Sequence, residues 1–398
     1  MNLATAANFI RLRTGSNRGD GRFVGESASD GRAMLAREER SPREQSPVAA
    51  TDRRTILLGV DFGARHTRIA AVFPGVEQFY LRRNIPTAVA FHSSSEEQTV
   101  SPHLYFGAEA VSRGERFRLV HPWQAGDLAD PALAREFVRH LRELMRRSDL
   151  PSARAVVGVP ATMSPEGRQQ LMQSMRGLLE HVIFLPRPYL SALGLRDLVG
   201  AEKLHSPEGR PVLLADLGAG TTEVCRVGSR FPAPAEMRGV AFGGNDVELL
   251  IEECLRQRCP ALRPSRMMIR GWFESFGTVG EPASPIVVRM PVDGTEQAID
   301  ITEAIRRGSE FWAVHVQQLV QDQLKGAEAG LPAQVFLCGG GSRLVNLGRV
   351  LGETFARAGH AGMEFTVVEE KELSLAARGA LCAARQVRDD QWARFETA

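Results

Sequence analysis

Two short segments of the chain share a residue pattern that suits phosphate binding. Residues 61–67 (DFGARHT) and 216–222 (DLGAGTT) both read aspartate, apolar residue, glycine, alanine, two variable residues and threonine. Each follows an apolar run and precedes another, so both are predicted to be tight hairpin turns. Glycine lets backbone N–H groups approach an anion closely. The aspartates would repel phosphate, so we expect them to act through a divalent cation held partly through water, as magnesium commonly is.

A third glycine-rich turn follows the apolar run 335–338. It consists of Gly339, Gly340 and Gly341, and Ser342 is expected to cap the helix after it. Such a turn before a helix suits the sugar or a phosphate of a nucleotide. One Asp-x-Gly turn is common in hairpins, but two matched copies and a third turn favour a nucleotide site.

The elements that must position these turns alternate between apolar runs and amphipathic stretches, which is typical of an α/β protein. Strands are predicted at 56–60, 155–159, 212–215 and 335–338, with a hairpin return at 68–73. A helix should open at Asp130-Pro131, with Leu133, Phe137, Leu141 and Met145 on its apolar face. Ser164-Pro165 and Gly243-Gly244 are expected to open two more.

Composition excludes several other classes of protein. The chain has 398 residues, 43% hydrophobic and 24% charged, with a net charge of +2, which is too balanced to indicate nucleic-acid binding. No window approaches the ~18 apolar residues of a membrane-spanning helix. A Gly-x-x-x-x-Gly-Lys-[Ser/Thr] phosphate loop is absent from the sequence. Five cysteines without Cys-x-x-Cys spacing, and no secretory signal, predict a cytoplasmic protein without a disulfide framework.

Residues 1–54 differ from the rest, because they are rich in Ser, Gly, Arg and Glu and have few aliphatic residues. This composition predicts a disordered tail. Its first dozen residues place Leu3, Ala7 and Ile10 on one side of a possible helix, which leaves membrane contact through the tail as a less favoured alternative.

Together the three turns resemble the motifs of the actin-like ATPase superfamily. Residues 61–67 are similar to its first phosphate motif, 216–223 to its second and 339–343 to its adenosine motif. The stretches HPWQAGDL (121–128), VGVPA (157–161) and FGTVGEP (276–282) resemble bacterial actins of the rod-shape (MreB) and magnetosome-filament (MamK) type.

This resemblance implies a duplicated actin-like (ribonuclease-H-like) α/β fold, with two domains flanking a nucleotide cleft. Domain I would span 55–203, with a small subdomain at about 84–120 and the C-terminal helix 372–398 packed back on it. Domain II would span 204–371, with a small subdomain at about 246–309. The resemblance further implies a cytoskeletal protein that binds ATP or ADP with Mg²⁺ and polymerises with itself, its nucleotide state controlling assembly. Accessory or cargo proteins are possible partners.

The residues implied to contact the nucleotide come from all three motifs and one helix. They are Asp61, Gly63, Ala64, Arg65, His66, Asp216, Gly218, Ala219, Gly220, Thr221, Thr222, Arg270, Gly339, Gly340, Gly341 and Arg343. Asp61 and Asp216 are the implied metal ligands. His66 could also be a turn residue that faces solvent.

The chain departs from the bacterial actins at three positions. Arg187 replaces the glutamate of a Glu-Pro pair that positions the attacking water, and a guanidinium cannot accept a proton. Hydrolysis is therefore expected to be slow or to use Thr222 or Glu223. Arg187 either clamps phosphate oxygens or leaves the nucleotide alone, pointing into solvent or pairing with an acid. Arg270 stands where relatives have a lysine, without the usual glutamate beside it. Ala219 replaces a glycine, which requires a backbone without positive φ there.

Three other functions stay open at this point. A small-molecule kinase on the same fold would need a substrate-site aspartate. A chaperone-type ATPase would need a β-rich domain after residue 385, where the chain soon ends. A nucleotide-binding adaptor without turnover is compatible with Arg187.

Overall fold

The computed structural model describes nine stretches of the chain: residues 55–92, 103–114, 117–145, 152–179, 181–200, 211–228, 232–325, 334–370 and 373–393. The predicted tail 1–54 lies outside the described residues, as do the ends of the predicted helix 372–398. All described residues belong to one compact unit that begins at Asp52.

The described strands are β1 (Thr55–Phe62), β2 (His66–Val72), β3 (Leu81–Pro86), β4 (Val89–Phe91), β5 (Tyr105–Phe106), β6 (Arg118–Val120), β7 (Trp123–Gln124), β8 (Asp127–Leu128), β9 (Ser152–Val159), β10 (His181–Pro186), β11 (Val212–Leu217), β12 (Thr222–Val227), β13 (Met237–Val240), β14 (Val287–Val292), β15 (Thr295–Asp300), β16 (Gln334–Cys338) and β17 (Glu364–Val367).

The described helices are α1 (Gly107–Arg113), α2 (Pro131–Met145), α3 (Pro165–Met175), α4 (Arg187–Val199), α5 (Gly244–Arg258), α6 (Arg266–Phe276), α7 (Thr302–Lys325), α8 (Leu347–Arg357), α9 (Leu375–Gln386) and α10 (Asp389–Ala393). Short 3₁₀ turns cover Pro234–Glu236 and Gly340–Arg343.

Two five-stranded sheets form the framework and share one topology. The first has the order β10-β9-β1-β2-β3 and the second the order β13-β12-β11-β16-β17. In each sheet an antiparallel three-strand meander is extended by two strands parallel to its first strand. The repeated aspartate motif thus belongs to a repeated sheet, and the predicted duplicated, two-domain actin-like α/β fold is confirmed.

The central strands are almost continuously apolar because they are covered on both faces. β1 is buried at every position after Thr55, and Val212 to Ala215 of β11 are buried in the same way. One apolar core lies around each sheet. The buried apolar runs of β1 and β11 are strands that the sequence predicted, at 56–60 and 212–215.

Helices α4 and α9 link the two halves of the protein. The first half is built around the sheet β10-β9-β1-β2-β3 and the second around the sheet β13-β12-β11-β16-β17. α9 packs against α4 and β1, and α4 also contacts β11 and β12 of the second sheet. The approach of the helices depends on glycine, because a Cβ on Gly379 would lie 1.8 Å from the carbonyl oxygen of Leu190. The first residue of α4 is Arg187, which places this arginine at the junction of the halves.

The three predicted helix starts are confirmed, and the third helix, α5, begins at Gly244 after Gly243. α2 begins at Pro131 and buries Phe137 and Leu141, and the Ser164 hydroxyl accepts a hydrogen bond from the Gly167 N–H at 2.8 Å. The expectation that Ser342 caps a helix is wrong. Its hydroxyl donates to the Gly339 carbonyl within a 3₁₀ turn, because the glycines let the chain turn tightly, and α8 begins only after Asn346.

Smaller elements lie beside each sheet. The first sheet has a three-stranded sheet, β5-β4-β6, with α1, and the second has the β14–β15 hairpin with α5 and α6. The predicted domain and subdomain bounds stay a prediction. Among the described residues, no helix combines the length and apolarity needed to cross a bilayer.

Candidate functional site

The two aspartate turns face each other across a cavity of about 570 Å³. Its lining contains most of the predicted nucleotide contacts: Asp61, Gly63, Ala64, Arg65, His66, Asp216, Gly218, Ala219, Gly220, Thr221, Gly339, Gly340, Gly341 and Arg343, with Arg187 at the same place. Thr222, Glu223 and Arg270 are not part of the lining. The structure therefore brings all three motifs to one cleft between the sheets.

The two turns have the same internal hydrogen bond. The N–H of Gly63 donates to the carbonyl of His66 at 3.0 Å, and the N–H of Gly218 donates to the carbonyl of Thr221 at 2.9 Å. The φ angle of Ala219 is not positive, so the backbone accepts its methyl group. This is the condition that the sequence set for an alanine at this position.

The third turn requires glycine at two positions. Gly339 has a φ of +79°, and a Cβ there would lie 2.6 Å from Asp216 Oδ1. A Cβ on Gly341 would lie 2.2 Å from the ring of Trp312. Because these glycines allow close packing, the third turn lies directly against the second aspartate turn.

Thr222 supports the cleft from behind. Its hydroxyl accepts a hydrogen bond from Trp312 Nε1 at 2.7 Å and donates to the Phe242 carbonyl at 2.8 Å. The side chain is fully buried. The structure thus places Thr222 in the packing under the third turn, with its hydroxyl hydrogen-bonded within the second half.

Arg187 lies at the bottom of the cleft and donates to four oxygen atoms. Nε donates to Asp61 Oδ1 at 3.0 Å and Nη2 to the Phe62 carbonyl at 2.6 Å. Nη1 donates to Thr221 Oγ1 at 3.2 Å and Glu223 Oε2 at 3.3 Å. Of the two arrangements left open by the sequence, the structure shows pairing with acids.

The pKa values of Arg187 and the acids around it are set by burial and by charge pairing. Burial disfavours the charged guanidinium, but the carboxylates of Asp61, Glu223 and Asp216 outweigh it and raise the pKa of Arg187 above its ordinary value. Burial raises the pKa of Glu223 to about 7, although Arg187 and the N–H of Ala161 act in the opposite direction. Burial, together with Asp61, also raises the pKa of Asp216.

The two predicted metal ligands differ in availability. Asp61 uses both oxygens within the protein, since Oδ1 accepts from Arg187 and Oδ2 accepts from Ser374 Oγ at 2.7 Å. Asp216 has one weak contact, from Ser191 Oγ at 3.4 Å. The described residues contain no cluster of three or more His, Cys, Asp or Glu suited to a metal. Asp216 fits magnesium that is completed by phosphate and water, and the role of Asp61 as a metal ligand stays a prediction.

A second arginine spans the cleft nearer its opening. Arg65 donates from Nε to Asn245 Oδ1 and from Nη2 to Glu248 Oε2, both at 2.5 Å. Glu248 also lies 3.4 Å from Arg270 Nε. Arg270 thus reaches the cleft through Glu248. Burial raises the pKa of Glu248 to about 7 despite its pairing with Arg65.

His66 is uncharged at neutral pH in this setting. Burial, with Arg68 and Arg65 nearby, lowers its pKa to about 4. It lines the cavity, but it does not bring a positive charge to it.

Several residues that line the site were not predicted from the sequence, among them Glu248, Trp312, Glu370 and Ser374. Glu370 accepts from the N–H groups of Gly339 and Leu375, and burial raises its pKa to about 7. Only Ser374 had a recognisable signal, because a serine before an amphipathic run is typical of a helix cap. Glu248 and Trp312 lie far along the chain from Arg65 and Thr222, and Glu370 lies in no motif.

Comparison with known proteins agrees with this fold. No family model matches the chain. The actin-like protein MamK of Magnetospirillum gryphiswaldense is 24% identical over 374 residues, which cover 91% of this chain and 97% of MamK. The predicted resemblance to bacterial actins of the MreB/MamK type is therefore confirmed.

Solved structures show the same fold. A MamK double helical filament superposes with a TM-score of 0.72 at 21% identity, covering 84% of this chain and all of the MamK chain. MreB5 of Spiroplasma citri bound to ADP superposes with a TM-score of 0.64 at 18% identity, covering 83% of this chain and 95% of MreB5.

Proposed function

We propose that this protein is a nucleotide-binding bacterial actin that polymerises into cytoskeletal filaments in the cytoplasm. The observation that carries the proposal is the pair of matched aspartate turns, on equivalent hairpins of two equivalent sheets, facing one cavity. The similar MamK chain forms a double helical filament, and the similar MreB5 chain binds ADP.

Backbone N–H groups of the two aspartate turns would receive the phosphates of ATP or ADP. The third turn, at Gly339–Gly341, would lie at the nucleoside end. Magnesium would be held by Asp216, water and the phosphates, and it would neutralise the phosphate charge. Because the nucleotide would touch both halves, its state would bias their closure and with it the contacts between subunits.

Hydrolysis would be slow. The position of the water-orienting glutamate of relatives is held by Arg187, whose guanidinium is engaged by Asp61, Thr221 and Glu223. Glu223 is the carboxylate that the sequence offers as a substitute, but its two oxygens accept from Arg187 and from the N–H of Ala161 at 2.6 Å. Asp61 and Glu223, the two carboxylates that pair with Arg187, are thus both engaged by the protein and poorly placed to orient an attacking water.

ATP-dependent pelleting of the purified chain tests filament formation, with phosphate release timed alongside. Assembly with ATP and phosphate release much slower than assembly is the expected result. Arg187→Glu, which introduces the residue of the relatives, should release phosphate faster. Wild-type hydrolysis that keeps pace with assembly would contradict the role given to Arg187, and the absence of any polymer would contradict the filament.

Arg187 is held by Asp61, Thr221 and Glu223, which favours slow or absent turnover. This also favours a second candidate, a nucleotide-binding adaptor that does not polymerise. Such a protein would bind ATP with a measurable heat and would sediment as a monomer with and without it.

A further inference from the structure

The two halves of the protein are joined across the cleft by ion pairs that belong to the protein itself. Arg187 contacts Asp61 and the Phe62 carbonyl at the end of β1 in the first half, and also Thr221 and Glu223 at the β11–β12 hairpin of the second half. A planar guanidinium can reach both turns at once because its donors point in several fixed directions. One side chain therefore connects the two motifs that face each other.

Burial makes this connection stronger than a surface ion pair. The side chains of Arg187, Asp61 and Glu223 are 10%, 5% and 1% exposed. Exposed pairs contribute little because water and salt screen them. Opening the cleft would separate the buried Arg187 from Glu223 and leave each with fewer partners, which opposes opening.

Two further contacts cross the cleft. Arg65, in the first aspartate turn, pairs with Asn245 and Glu248 at the start of α5. Glu223 of the second sheet accepts a hydrogen bond from the N–H of Ala161, which follows β9 of the first. The cleft is thus bridged both at its bottom and nearer its opening.

We infer that Arg187 and Arg65 act as an internal clasp that holds the two halves closed without a bound nucleotide. The inference deepens the proposed function, on which it rests for the idea that nucleotide binding acts on closure. A ligand shifts a conformational equilibrium only by its difference in affinity for the two states. Because the clasp already favours the closed state, a nucleotide that contacts both halves adds little to closure in the wild-type chain, and its effect on closure shows most where the clasp is weakened.

Closure can be measured directly on the full chain by the distance between two spin labels. Exposed Glu109 on α1 and exposed Glu296 on β15 belong to opposite halves and are suitable sites for labels on unnatural amino acids. Distances would be recorded below the assembly concentration, after enzymatic removal of nucleotide in the presence of EDTA, and again with Mg²⁺ and ATP. The wild-type chain should give the same narrow distance distribution in both conditions.

Two variants break the clasp at different places. Arg65→Ala removes the bridge near the opening and leaves Glu248 beside Arg270, and Arg187→Gln removes the bridge at the bottom. Each should broaden the nucleotide-free distribution and shift it to longer distances, and ATP should narrow it again. Arg65→Ala keeps the test available if Arg187→Gln does not fold.

Arg306→Gln is the matched control. Arg306 also pairs with carboxylates, Glu303 and Glu310 on α7 and Glu281 in the loop before β14, and all of them lie within the second half. Its distance distribution should equal that of the wild type in both conditions.

A wild-type distribution that is broad without nucleotide and narrow with ATP would overturn the clasp and leave the proposed function intact. Folded Arg65→Ala or Arg187→Gln chains that stay narrow without nucleotide would overturn it as well. If ATP changes none of the chains while both variants are broader than the wild type, the clasp is supported. A wild-type chain that also gives no heat with Mg²⁺ and ATP then overturns the proposed nucleotide function.

Discussion

Replacing Arg187 by glutamine should destabilise the folded protein substantially. The substitution removes the charged partner of Asp61 and Glu223, which lie 3.0 and 3.3 Å from the guanidinium and are almost fully buried. Breaking a buried ion pair by removing one partner typically costs about 3–5 kcal/mol, because the remaining charge stays buried without compensation. Glutamine can still donate to one oxygen, so we expect the loss to fall near the lower end.

The loss of stability caused by Arg187→Gln should be larger at high pH than at low pH. The pKa of Glu223 is raised to about 7 from an ordinary value of 4.5. Between these two pH values the native state therefore keeps a proton on Glu223 that the unfolded state has lost. Its protonation stabilises the fold fully below pH 4.5, and this contribution is lost as the pH rises through about 7. Without Arg187 the pKa of Glu223 should rise further. The variant should therefore lose most stability at pH 8 and less at pH 5, where Glu223 is protonated in both proteins.

Urea denaturation of the full chain at pH 5 and pH 8 measures both effects, with Arg306→Gln as the surface control. The control should change stability little at either pH. A cost below about 1 kcal/mol at pH 8, the scale of a surface pair, would refute the reasoning. So would an equal cost at both pH values.

Two further substitutions test the packing around the cleft. Gly341→Ala should weaken nucleotide binding at least tenfold in a calorimetric titration, because its Cβ would lie 2.2 Å from the Trp312 ring; unchanged affinity would contradict the close packing of the third turn. Ser374→Ala should lower the free energy of unfolding by about 1 kcal/mol or more, since the hydroxyl donates to Asp61 and caps α9 by accepting from the N–H of Ala377. Unaltered urea denaturation would show that this hydroxyl contributes nothing.

Local patterns predicted the parts of the site that depend on neighbouring residues. The apolar run before Asp61 and the return after His66 form the hairpin β1–β2, and the run before Asp216 does the same in the second sheet. Glycine and aspartate at fixed spacing specify such turns because the backbone conformation is decided within a few residues. The resemblance carried by the three turns then implied a duplicated fold.

Contacts between distant residues could not be predicted in this way. Arg187 was recognised as a departure from relatives, but its partners lie between 34 and 126 residues away along the chain. Glu248 lies 183 residues from Arg65, and neither a motif nor a helical face marks it. The packing of two sheets determines these pairs, so they required the three-dimensional structure. Ser342 shows a local failure, because a serine after glycines also fits a 3₁₀ turn.

The central claim is that a nucleotide binds between the twin aspartate turns, and a calorimetric titration of ATP with Mg²⁺ tests it most directly. Saturable binding of one ATP per chain is predicted for the wild type, with at least tenfold weaker binding for Asp216→Asn. This variant removes the carboxylate that is most available to magnesium. No heat of binding in the wild type, or equal affinity in both chains, would contradict the account.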